Sequence, residues 1–296
     1  MDQRIKIQQT IDFIESNIKN DIRPEALANM VYYSKKHYYR LFKKYIGISV
    51  MDYIRRRKLA YAIFDIMMGG RILDVALAYG FDSHSGFTKA FKKQYGMSPQ
   101  KYMIHAAVIQ PRSIDLLTQN EKYEFNGGII MEPKIVHRSA FTVVGYGITS
   151  NSANSTKDCP ALWDKFDTEG WEQKLYSQLS YTKHGEYGIC YKENNETDEF
   201  VYIIGLEVKD LSNIDPDMVT ADIPQADYVV FTTPPADDHD FVRTIHRTWD
   251  YIMNEWFPES GYSWDETKPD FEFYDERCHG LTNKVMEIYV PIIKNE

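Results

Sequence analysis

Phe42-Lys43-Lys44-x-x-Gly47-x-Ser49-x-x-x-Tyr53 returns 49 residues downstream as Phe91-Lys92-Lys93-x-x-Gly96-x-Ser98-x-x-x-Tyr102. Upstream of the two copies, Ala28 pairs with Ala76 and Tyr33 with Phe81, with one residue added before Ser83. Two copies are too few for a solenoid. They fit a pair of related helix-turn-helix units, and the stretch from Ser49 to Met68, helical in pattern, is long enough to hold them at a fixed separation.

Working outward, the flanking residues also read as helix. Ile7, Ile11, Ile14 and Ile18 recur on one face of a first helix. Pro24 is placed to begin the next, because a missing N–H costs nothing in a first turn. Ser34 is an N-cap whose hydroxyl can accept an orphaned backbone N–H, and Gly47 is a natural stop for the helix that follows. Tyr38, Leu41, Phe42 and Tyr45 form the inner stripe of that helix, which leaves Lys36, Tyr39, Arg40 and Lys43 facing outward. In the second copy Phe87, Ala90 and Phe91 point inward, and His84, Ser85, Thr88 and Lys89 are expected outside.

Charge separates this region from the rest. The net charge of the 296 residues is −9, but residues 1–105 hold 18 basic and 9 acidic side chains, a net of +9. The remainder carries 16 basic and 34 acidic residues, a net of −18. The asymmetry suggests a basic DNA-facing module joined to an acidic one with another task; the alternative is two solvated surfaces that merely differ. In a helix-turn-helix the second helix enters the major groove. Arg40 and Lys89 occupy equivalent repeat positions and can donate to guanine O6 and N7. Lys43, Lys44, Lys92, Lys93 and the run Arg55–Lys58 suit phosphates. Two such helices should sit in successive major grooves, roughly 34 Å apart.

Ser34-Lys35-x-His37-x-x-Arg40-x-Phe42-Lys43-Lys44-x-x-Gly47 resembles the first unit of AraC-type regulators. Ile72-Leu73-Asp74-Val75-Ala76-x-x-x-Gly80-Phe81-Asp82-Ser83-x-x-x-Phe87-Thr88-Lys89-Ala90-Phe91-Lys92-Lys93 resembles their second. The similarity spans about residues 5–105. It implies activation of transcription from asymmetric promoter sites on double-stranded DNA, with RNA polymerase as a protein partner. By the same resemblance Lys36, Tyr39 and Arg40 fall on base-reading positions of the first helix, and His84, Ser85 and Lys89 on those of the second. The sequence departs from the family where one subgroup has tryptophan, here Lys36, and where glutamines are common, here Tyr39, His84 and Ser85. These departures bear on the DNA sequence recognised.

Residues 106–128, punctuated by Pro111, Asn120, Asn126 and Gly127-Gly128, read as a linker between a domain at 1–105 and another at 129–296. Beyond it the periodicity changes. Strands are predicted at Val143–Gly145, Glu186–Tyr191, Phe200–Ile204, Tyr228–Phe231, Phe271–Tyr274 and Met286–Val290, and helices near 161–179 and 241–256. Strand, helix, strand, strand occurs twice. The expected fold is therefore multidomain: an all-α double helix-turn-helix followed by an α+β domain of two similar halves around an antiparallel sheet.

All five tryptophans and twelve of the 22 tyrosines lie after residue 106. Aromatic walls suit small-molecule pockets and attract cations. Alternation places Glu272 and Tyr274 on one strand face, and Glu287 and Tyr289 share a face of the last strand. The alternative is an ordinary aromatic core with exposed glutamates. Tyr228-x-x-Phe231, Trp256-Phe257-Pro258-x-Ser260-Gly261-Tyr262, Pro269-x-Phe271-Glu272-x-Tyr274 and Glu287-Ile288-x-x-Pro291-Ile292 resemble the GyrI-like effector-binding domain over about residues 130–296. That resemblance implies that Glu272 binds a cationic, lipophilic effector, with Tyr274, Tyr289 and Trp163 as further candidates.

Two other tasks for this domain stay open at this stage. One is hydrolysis of cyclopropane-type compounds, as some GyrI-like proteins perform; the other is binding of proteins only. The eight histidines show no metal-ligand spacing with Cys159, Cys190 and Cys278, and no phosphate-binding glycine motif occurs. Neither a metal, a cofactor nor a catalytic residue is expected, and the chain reads as a non-enzyme. The sparse cysteines suit the cytoplasm, and no apolar run reaches the ~18–20 residues of a membrane span.

Overall fold

The computed structural model describes residues 2–117, 132–191, 197–212 and 214–295. Much of the expected linker therefore lies outside the described residues. Two compact units emerge. The first comprises Met1–Gln94 with Val108–Glu124, the second Tyr95–Ala107 with Phe125–Glu296.

Six helices build the first unit: α1 (Gln3–Ser16), α2 (Pro24–Met30), α3 (Lys35–Ile46), α4 (Val50–Met67), α5 (Ile72–Ala78) and α6 (His84–Tyr95), the last residue of which falls in the second. Pro24 occupies the first turn of α2 as expected. Ser34 caps α3 by accepting from the His37 N–H at 3.3 Å. Gly47 ends α3 in the left-handed conformation, φ 86°, where a Cβ would be strained. Ile7, Ile11 and Ile14 are fully buried, as are Tyr38, Phe42, Phe87 and Phe91. The inward stripes of both repeat helices are thus the ones their periodicity indicates.

The second unit begins with α7 (Pro99–His105), read from the sequence as the end of the first domain. Then come β1 (Lys134–Arg138), β2 (Phe141–Asn151), α8 (Ser155–Thr168), α9 (Trp171–Gln178), β3 (Glu186–Tyr191) and β4 (Glu199–Glu207). After β5 (Val219–Ile223) and β6 (Ala226–Thr232) follow α10 (Asp238–Tyr251), a π turn at Ile252–Trp256 and α11 (Phe257–Ser260). The chain closes with β7 (Tyr262–Trp264), β8 (Asp270–Tyr274) and β9 (Glu287–Lys294).

The strand order is β1-β6-β9-β8-β3-β4-β2-β5, with β7 on β9, and every pairing is antiparallel. The duplicated halves are visible in it: β6-β9-β8 on one side mirrors β2-β4-β3 on the other, and β8 meets β3 at the seam. β1 and β2 lie six strand spacings apart, roughly 29 Å in a flat sheet. Only Ser139 and Ala140 join them, a reach of about 7–11 Å. The sheet must therefore curl until its ends approach. One face packs Val144, Ile204 and Leu206 against Leu162, Phe166 and Leu175 of α8 and α9. The other encloses Tyr187, Ile203, Tyr228, Phe271 and Phe273.

The structure refines two helix readings and adds three strands. The helix expected near 161–179 is two, because Gly170 takes φ 72° between α8 and α9. Its start also moves back to Ser155, so that Pro160 sits within the helix. The helix expected near 241–256 is present, beginning at Asp238 and running to Trp256 with its last five residues as a π turn. Strands β1, β5 and β7 carry no strong apolar alternation because each pairs with only one neighbour.

Candidate functional site

On α3 and α6 the side chains of Lys36, Arg40, Lys43, His84, Ser85 and Lys89 are exposed, and Tyr39 is half-buried. Arg40 is held loosely, its guanidinium 3.2 Å from His37 Nδ1. Lys44, Lys92 and Lys93 are exposed near the ends of their helices. Thr88 departs from expectation. It is half-buried and its hydroxyl oxygen is shielded from solvent, because its position on the helix lies beside the inward Phe87 and Phe91 stripe. The basic run on α4 is also largely spent within the fold. Arg57 binds both oxygens of Glu15 at 2.7 Å, Arg55 pairs with Asp52, and Lys58 donates to the Asn20 carbonyl. Of that run Arg55 and Arg56 stay exposed.

In the second unit, register decides which predicted residues meet. Glu272 of β8 stands directly opposite Gly188 of β3, at the seam between the halves. Opposite residues of an antiparallel pair share a face, so both look toward α8 and α10. Trp249 of α10 donates its indole N–H to Glu272 Oε1 at 2.8 Å, and the Tyr274 hydroxyl donates to Oε2 at 2.8 Å. Trp163 of α8 packs on Tyr274 with centroids 4.7 Å apart and donates to the Tyr202 hydroxyl at 2.9 Å. A Cβ on Gly188 would lie 2.6 Å from that hydroxyl, so glycine makes room for the pair.

Burial first, then the Glu272 charge, pushes the Tyr274 and Tyr202 phenols well above their ordinary range. The same two causes push the Cys159 thiol to about 12. All three therefore stay protonated around one carboxylate with an aromatic surround. Such a site attracts a cation and offers no activated thiolate.

Glu272, Tyr274 and Trp163 are brought together, and Tyr289 is not. Tyr289 stands opposite Phe271, one residue out of phase with Glu272, which sends it to the enclosed face. There it stacks on Phe271 at 4.5 Å and donates to Glu287. Sequence reasoning missed Trp249, Tyr202 and Gly188. The Phe241-Ile245-Thr248-Trp249 stripe signals that Trp249 faces inward, but only the packing of α10 on the sheet shows that it reaches Glu272.

A second polar cluster was also invisible. His105, Cys190 and Asp270 offer ligand atoms within 4.8 Å of one another despite lacking metal-ligand spacing in sequence. The Lys101 ammonium already bonds Asp270 there, supplying the positive charge a metal would otherwise bring. Burial would raise the Asp270 carboxyl, but Lys101 and His105 outweigh it and hold it at about 2. Among the described residues no helix is long and apolar enough to cross a membrane.

Two family models match the chain. Residues 131–293 match the family described as GyrI-like small molecule binding domain, and residues 27–104 match a helix-turn-helix domain family. The uncharacterized HTH-type transcriptional regulator YbfP of Bacillus subtilis is 43% identical over 97 residues, 32% of this chain and 33% of that protein. The HTH-type transcriptional activator AarP of Providencia stuartii is 34% identical over 99 residues, covering 33% of this chain and 73% of AarP. The right origin-binding protein of Escherichia coli is 37% identical over 103 residues, 34% of this chain and 36% of that protein. This chain thus spans about a third of the Bacillus and Escherichia proteins' lengths. Among solved structures, SAV2435 bound to tetraphenylphosphonium aligns with a TM-score of 0.48 at 18% identity, covering 55% of this chain and 94% of that one. The chain belongs to the GyrI-like small-molecule-binding family and carries an AraC-type helix-turn-helix domain ahead of that domain.

Proposed function

We propose that this protein is a cytoplasmic transcription activator that reads promoter DNA with α3 and α6, engages RNA polymerase, and responds to a lipophilic cation bound at Glu272. The observation that carries the ligand reading is the single carboxylate ringed by Trp249, Tyr274, Trp163 and Tyr202. Both Glu272 oxygens already accept hydrogen bonds, which suits charge attraction to a ligand better than activation of water for hydrolysis. On the DNA side the base-reading set is Lys36, Tyr39, Arg40, His84, Ser85 and Lys89, with Lys43 on phosphate.

The test is sequencing of the DNA fragments the chain retains, with and without tetraphenylphosphonium as the lipophilic cation. One recurrent site should emerge, and its affinity should shift with the cation. By linkage the site should change cation affinity by the same factor. Retention without sequence preference would defeat the regulator reading. Arg40→Ala and Lys89→Ala should each weaken that site by about 1–3 kcal/mol while leaving non-specific binding nearly intact. Unchanged footprints for both would remove the two-helix reading.

A further inference from the structure

Helix α7 lies inside the stretch that matches the helix-turn-helix family, yet it packs as part of the ligand-binding unit. Three residues separate it from the end of α6. Its start and its middle are fastened. Ser98, its N-cap, donates from its backbone N–H and its hydroxyl to the two oxygens of Glu266, at 2.9 and 2.6 Å. Gly96 just ahead accepts from the Trp264 N–H at 2.9 Å, and Tyr102 donates to Asn254 at 3.0 Å.

The inward face of α7 ends on Trp249, the residue that donates to Glu272. His105 stacks on Trp249 with centroids 4.0 Å apart and planes at 13°. Its other neighbour is the fully buried Trp264, 5.7 Å away and again near-parallel. His105 Nε2 also lies 2.9 Å from Asp270 Oδ2, a close contact rather than a well-directed hydrogen bond. Trp249 is therefore shared: its indole N–H holds Glu272, and its ring face holds α7.

We infer that Trp249 and His105 form a relay, by which a cation entering beside Glu272 displaces the Trp249 ring and so changes the packing of the C-terminal turn of α7, the helix that follows α6 in the chain. The inference rests on Glu272 being the ligand carboxylate. The physical reason is that Trp249 cannot serve two states at once. With its N–H on Glu272 it occupies one oxygen of the carboxylate that the cation would approach, and a ligand shifts only an equilibrium whose states it binds unequally. A close-packed aromatic stack does not deform smoothly; it re-seats. The ring that leaves Glu272 also leaves the face of His105, and α7, pinned at its start by Glu266, must answer at its C-terminal turn.

Hydrogen exchange on the full chain tests this, with tetraphenylphosphonium as probe and equilibrium dialysis to measure its binding. In the parent protein, saturating cation should change amide exchange across residues 101–106 by roughly fivefold or more, the lower end of ordinary coupling. His105→Ala should bind the cation within about threefold of the parent yet lose that response, and His105→Phe, which keeps a stacking ring, should restore most of it. Bound cation with unchanged exchange in α7 of the parent overturns the relay and leaves the pocket reading standing. A full response in His105→Ala overturns it equally. Failure of the cation to bind the parent at all defeats the pocket reading, and the relay with it.

Discussion

Asp270→Ala is expected to destabilise the ligand-binding unit by about 3–5 kcal/mol, the cost of stranding a buried charge. Asp270 and Lys101 are almost wholly shielded from water, with side-chain exposures of 2% and 10%. Removing the carboxylate leaves the ammonium with Trp264, whose ring lies 4.8 Å away, as its remaining aromatic partner. Burial disfavours the Lys101 charge, and Asp270 more than offsets this, so the lysine's pKa is raised. Urea unfolding of the parent and variant measures the loss. A double replacement, Lys101→Met with Asp270→Leu, should recover most of it, because no buried charge then remains. A single-variant loss below about 1 kcal/mol would mean that the ammonium reaches water and that the pair is not a buried one.

The same pair sets an acid limit. The Asp270 carboxyl is held at about 2 in the folded protein, against roughly 3.9 for a free aspartate. A depressed carboxyl pKa contributes stability that is fully present above the unfolded value and is lost as pH falls through the folded one. Stability of the parent should therefore decline between about pH 4 and pH 2 more steeply than that of the double variant.

Glu272→Gln should lower the affinity for tetraphenylphosphonium roughly tenfold to a hundredfold. The amide keeps the shape and an acceptor for Trp249, so what it removes is charge. Two unit charges about 5–6 Å apart interact by about 3 kcal/mol at an effective dielectric constant near 20. Glu272 is only half-buried, which trims that figure toward about 1.5 kcal/mol. Neutral triphenylphosphine oxide, of similar shape, should bind both proteins alike and so separates charge from packing. Equal affinity of parent and variant for the cation, with unfolding midpoints matched, would remove Glu272 from the ligand site.

Particular residues show where sequence reading succeeds and where it stops. The repeat at 42–53 and 91–102, the isoleucine stripe of α1, Pro24, Ser34 and Gly47 each encode a local outcome. Helix period, cap and stop act over a few residues, so the double helix-turn-helix was legible without coordinates. The central strands were legible too, since alternation of Phe271, Glu272 and Phe273 is written in consecutive letters. Their order was not.

Pairing between strands far apart in sequence places Glu272 opposite Gly188 and sets Tyr289 one residue out of phase, on the other face. Three partial breaks of pattern also escaped the letters: Gly170 dividing a helix, the π turn after Tyr251, and edge strands with too little buried face to alternate. By itself, then, the sequence determined the helices of the double helix-turn-helix and the strand that carries Glu272, because those depend on contacts within one turn or one strand. Tertiary structure alone decided that Trp249 reaches Glu272, that Lys101 and His105 converge on Asp270, and that α7 belongs with the second unit. Those contacts join residues more than 20 apart, and in several cases more than 140, where no local period records them.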